Sequence, residues 1–79
     1  MRIAIVGAGA MGAMVAKELL VAAPDTPLVL IDSDAGRLLR LEETLSTASV
    51  MTHQRDAVDV VALAGALASV DLVVNAAQY

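Results

Sequence analysis

Apolar positions in this chain fall into short unbroken runs, separated by stretches in which they recur at helical spacing. Ile3-Ala4-Ile5-Val6 is the first run, Leu28-Val29-Leu30-Ile31 the second and Leu72-Val73-Val74 the last. Strands of a parallel sheet read this way because helices cover both of its faces. The runs predict strand one at residues 2–6, strand two at 28–32 and strand four at Asp71–Asn75; Ser49–Arg55 alternates more loosely and is read as strand three. Met11, Val15 and Leu19 stand at i, i+4 and i+8, predicting helix one from about Ala10 to Ala23, with Lys17 and Glu18 on its wet side. Pro24-Asp25-Thr26-Pro27 then stops the helix and turns the chain. Leu38, Leu41 and Leu45 make the buried stripe of helix two, Ala35 to Thr47, with Asp34 as N-cap and Arg37, Arg40 and Glu43 toward solvent. Val60, Leu63, Ala64 and Leu67 mark helix three, which begins at Asp56 or Asp59.

The element order is thus βαβαβαβ. Right-handed crossovers arrange the strands as 3-2-1-4, with helices one and two on one face and helix three on the other. This is an α/β fold: a partial Rossmann doubly wound fold of four parallel strands and three helices. The complete Rossmann fold has six strands. Residues 1–79 are therefore expected to be the N-terminal part of a Rossmann domain, the remainder of the parent chain being absent. Strand four would be left as an open edge, which the rest of the parent chain or a homo-oligomer is expected to cover.

Composition narrows the class further. The chain has 79 residues, is 58% hydrophobic and carries a net charge of −4. Cysteine is absent, which excludes a disulfide framework and a thiolate metal site and is compatible with a reducing, cytoplasmic location. The acidic balance and the scatter of Arg2, Lys17, Arg37, Arg40 and Arg55 argue against nucleic-acid binding. Arg2 followed by apolar residues to Ala16 superficially resembles a signal peptide. That stretch is rich in Gly and Ala, lacks a basic cluster and is too short to span a bilayer, so no membrane association is expected. No metal-ligand spacing occurs, and His53, the single histidine, has no nucleophile or carboxylate at motif spacing. It is read as a surface or packing residue. No catalytic residue is assigned within this chain.

The chemistry lies where strand one stops. Gly7-Ala8-Gly9-Ala10-Met11-Gly12 is a Gly-x-Gly-x-x-Gly loop that leads directly into a helix. Gly7 permits a tight turn, Gly9 lets the backbone approach a diphosphate, and Gly12 allows close packing of helix on strand. The first-turn amides at Ala10, Met11 and Gly12, with the positive end of the helix dipole, then hold the anion. Met11 either covers the diphosphate side of the cleft or packs in the core. Asp32 follows Gly12 by twenty residues and ends strand two, where a carboxylate accepts hydrogen bonds from the adenosine ribose. It favours NAD as cofactor, NADP remaining possible because Arg37 is either a solvated helix-face charge or within reach of a 2′-phosphate; neighbouring Ser33 is counted among the cofactor-binding residues. Asp56, with Ala57 after it, is placed on the adenine side, or caps helix three. Asn75 ends strand four at the switch point, either fixing a loop in which Ala76 and Ala77 pass the cofactor ribose, or satisfying strand-end backbone groups.

The chain as a whole resembles the N-terminal cofactor domain of the saccharopine dehydrogenase-like family, which includes saccharopine reductases, lysine 6-dehydrogenases and carboxynorspermidine dehydrogenases. The resemblance rests on the glycine loop, Asp32-Ser33-Asp34, Asp56 seven residues before Leu63, and Asp71-Leu72-Val73-Val74-Asn75-Ala76-Ala77-Gln78-Tyr79. The closing Val-Asn-Ala-Ala-x-Tyr is the most discriminating piece. Ala57-Val58 departs from the acidic or polar doublet that often follows the acid in this family. The resemblance implies the NAD(P)-binding part of an oxidoreductase acting on a C–N bond of an amino-acid-derived amine. A competing resemblance is to the non-catalytic, nucleotide-sensing regulatory domains of potassium uptake channels. Those share the glycine loop and both acids, but their fourth strand runs into a small-residue–Thr ending, unlike this chain.

Overall fold

The computed structural model describes residues 1–45, 49–55, 65 and 67–76. Its elements are β1 (Ile3–Val6), α1 (Ala10–Ala22), β2 (Leu28–Asp32), α2 (Ala35–Leu45), β3 (Val50–Gln54) and β4 (Leu72–Asn75). All strand pairings are parallel and the order is β3-β2-β1-β4, as the crossover rule requires. Two helices are described, against three expected. The predicted start of the third, at Asp56 or Asp59, and most of its length lie outside the described residues, as does the predicted end of helix two at Thr47.

Each face of the sheet gathers its own apolar cluster, because successive side chains of a strand point to opposite sides. Ile3, Ile5, Leu28 and Leu30 point to one face, where Ala16 of α1 and Leu38 and Leu41 of α2 bury them. Both helices therefore cover the same side. Ala4, Val6, Val29 and Ile31 point to the other face, with Leu67 and Val70 packed against them. Ile5, Leu28, Leu30 and Ile31 are fully buried, each contributing about 1.5–3 kcal/mol by removal from water. β4 is the exposed member, with Leu72 and Val73 about half open to solvent.

The buried side of α1 differs from the expected stripe. Gly12 and Ala16 are buried, Val15 and Leu19 pack at the margin, and Met11 is 56% exposed. Small residues bring this helix so close to β1 that a long side chain has no room on the contact line. The packing alternative for Met11 is thereby corrected.

The C-terminal ends of the strands are held level by register. Val6 aligns with Ile31 on one side and with Asn75 on the other, and Asp32 aligns with Gln54. Past these ends the Gly7 amide donates to the Ile31 carbonyl at 2.7 Å, Ala76 to Val6 at 2.8 Å and Arg55 to Asp32 at 3.0 Å. One edge of the sheet thus collects the glycine loop, the end of β2 and the residue after β4.

A glycine loop clamped by a buried carboxylate

Gly7 leaves β1 with φ of 102°, a backbone conformation that a Cβ opposes. The turn points α1 back across the sheet, and Gly12 then lies directly against Gly7. A Cβ built on Gly12 would overlap the Gly7 carbonyl oxygen, with the Ile5 side chain 3.5 Å away. Gly9 is different in kind. It is the N-cap of α1 in an extended conformation, and a Cβ there would meet nothing within 4 Å. The protein itself does not need glycine at that position.

The start of α1 makes no demand of its own on its amides. Gly9 provides no side-chain cap, and the first turn contains no acidic residue. The early amides and the positive dipole end therefore face the surface beside Gly9 without an internal anion.

Asp32 is 8% exposed and spans the gap between β2 and the loop. Its Oδ2 accepts the Ala8 amide at 2.7 Å and its Oδ1 accepts the Asp34 amide at 2.8 Å. Short bonds from amide donors to a carboxylate are charge-assisted and stronger than neutral ones. Each oxygen keeps a further lone pair, so the group still has acceptor capacity for sugar hydroxyls. Asp34 follows as the N-cap of α2, its Oδ1 accepting from Gly36 at 2.9 Å and Arg37 at 3.2 Å.

Of the other expected site residues, Ala10 and Met11 open α1 on the surface. Ser33 is exposed, and its carbonyl accepts from Gln54 Nε2 at 3.3 Å. Asn75 ends β4 level with Val6, and Ala76 packs against the core cluster under α1 and α2. Asp56, Ala57 and Ala77 lie outside the described residues. Sequence reasoning did not single out Lys17 and Arg40, which line a groove with Ala8, Gly9, Ala10, Ala13, Arg37, Leu41 and Thr44. The signal was present: positions 10, 13 and 17 share one side of α1, and positions 37, 40, 41 and 44 share one side of α2. The groove has a volume of about 290 Å³.

These residues fit a dinucleotide's diphosphate on an observation internal to the fold. The Gly9 position is empty where a Cβ would stand, and it adjoins a helix start with no acid in its first turn. Among the described residues no group of three or more metal-ligating side chains converges, and no helix is long and apolar enough to cross a membrane.

A parallel sheet in the order β3-β2-β1-β4 with this loop and this acid defines a dinucleotide-binding α/β domain. Residues 3–79 match the family model described as saccharopine dehydrogenase NADP binding domain, and the chain belongs to that family. It is accordingly the part of an oxidoreductase that binds a nicotinamide dinucleotide. No curated protein matches the chain.

Proposed function

We propose that this chain is the cofactor-holding part of an oxidoreductase that acts on a C–N bond of an amino-acid-derived amine, with NAD as the favoured dinucleotide. The single observation that carries the reading is the pairing of an open Gly9 with a buried Asp32 across Ala8. Gly9, Ala10, Met11 and Gly12 offer amides to the diphosphate. Asp32, with Ser33 beside it, faces the adenosine ribose, and Asn75 and Ala76 border the path toward the nicotinamide end. Asp56, Ala57 and Ala77 belong to the same set by their place in the sequence.

When bound, the nicotinamide supplies the hydride chemistry. This chain's residues bind and orient: the amides fix the diphosphate and Asp32 holds the loop that presents them. The groups that hold the amine and manage its proton are assigned to other parts of the enzyme. Membership of the family and the Val74-Asn75-Ala76-Ala77-Gln78-Tyr79 ending support the amine class.

Titration of NADH, followed by nicotinamide fluorescence, tests the site, because the chain has no Trp to interfere. Saturable binding that Gly9→Ala weakens about tenfold or more supports it. Absence of binding, or binding indifferent to Gly9→Ala, overturns it. For the amine class, the whole enzyme should reduce NAD with lysine-like primary amines or saccharopine-like secondary amines. Turnover of 2-hydroxy acids in their place would overturn that assignment.

A further inference from the structure

α1 is apolar on its outer side as well as its inner one. Gly12 and Ala16 are buried against the sheet. On the side away from it, Met11, Met14 and Val21 recur at helical spacing, and Met14 and Val21 are 57% and 81% exposed. Within Ala10–Ala22 only Lys17 and Glu18 carry charge, and both stand on this exposed stripe. α2, in the same layer, is different: Arg37, Arg40, Glu42 and Glu43 are exposed along it. A helix that is apolar all round is one that the assembled protein covers on both sides.

Continuation of the sheet does not supply that cover. The step from β1 to β2 carries α1 over one face. A step outward from β4 runs the opposite way, so a right-handed crossover puts its helix on the other face. The two charges point instead to a copy of the same chain. Among the described residues neither Lys17 nor Glu18 has an ion-pair partner. Two α1 helices packed antiparallel, about a two-fold axis beside the 17–18 peptide, set Lys17 opposite the partner's Glu18. The symmetry makes that pair twice. The same register sets Met14 opposite the partner's Val21, again twice, with Met11 at each end. A parallel pair would set each charge against its own kind, which costs free energy. Such self-complementarity is what a two-fold interface demands.

We propose that the outer side of α1 seats a second copy of this chain, antiparallel across a two-fold axis. Met14 and Val21 make the apolar contact, and the Lys17–Glu18 pairs fix the register. The apolar stripe supplies the affinity, whereas exposed ion pairs supply orientation more than strength. Antiparallel packing puts the two glycine loops at opposite ends of the contact. The inference is independent of the dinucleotide reading.

Sedimentation equilibrium of the full-length protein over about 1–500 µM tests it. The unmodified protein should show a self-association step. Met14→Gln combined with Val21→Gln should weaken that step about tenfold or more, since both residues lose apolar contact twice over. Lys17→Glu alone and Glu18→Lys alone should each weaken it about threefold or more, by setting like charges opposite one another. The two reversals combined should restore it to within about threefold, because the pairs re-form with their signs exchanged. All four substitutions fall on exposed positions, so melting temperatures should stay within about 4 °C of the unmodified protein. A monomer at every concentration would overturn the proposal. So would association indifferent to the glutamine variant, or single reversals that their combination fails to rescue.

Discussion

Asp32 and Ala8 are joined by a 2.7 Å hydrogen bond from the Ala8 amide to the buried carboxylate, across 24 residues of sequence. The acid that ends β2, proposed above to face the ribose, is therefore also a structural member of the glycine loop. An isolated charge at this depth would be costly. Here two amide donors answer it, and the loop gains a fixed shape before any ligand arrives.

Replacement of Asp32 by Asn should expose this double role. An amide side chain can accept from only one of the two donors, and a buried N–H left unpaired costs about 1–3 kcal/mol. Hydrogen exchange should show faster exchange at Ala8 than in the unmodified protein. Unaltered protection at Ala8 would argue against the clamp. Affinity for NAD and for NADP should fall together through the loosened loop, with the larger fall for NAD, whose ribose hydroxyls lose their acceptor.

Gly12 and Gly9 should separate cleanly under the same substitution. Gly12→Ala drives a Cβ into the Gly7 carbonyl and should destabilise the fold by about 1–3 kcal/mol or more, read as a lower Tm. Gly9→Ala meets no protein atom, so stability should stay within about 1 kcal/mol while dinucleotide affinity falls. Parallel melting and binding curves would show the contrast, and a large loss of stability at Gly9 would contradict it.

Gly7→Ala should cost about 1–2 kcal/mol, because φ of 102° forces the new Cβ toward the backbone. Denaturant unfolding is a direct measure, and the midpoint should fall without a change of slope.

Leu38→Ala removes a side chain buried at 4% exposure between α2 and the sheet, with an expected loss of about 2–5 kcal/mol. Leu39→Ala, on the exposed side of the same helix, is the matched control and should change stability little.

Much of the architecture was legible because its signals are local. Unbroken apolar runs marked all three strongly patterned strands to within a residue, and β3 emerged inside the loosely alternating stretch. Asp34 acts as the α2 cap, and Leu38 and Leu41 are its buried stripe, as their spacing implied. Met11 broke the pattern. Periodicity ranks residues by apolarity, whereas the close approach of α1 to β1 admits only Gly12 and Ala16 on the contact line.

The sequence by itself determined the four parallel strands, their order and the glycine turn, since period, handedness and the freedom of a residue without Cβ are properties of short segments. Tertiary structure alone decided that Asp32 grips the Ala8 amide, that Met11 stands in solvent, and that cations from two helices share one groove. Such relationships depend on how elements are stacked and how far apart their axes lie. Side-chain bulk at the contact sets those distances, and no single segment contains both sides of it.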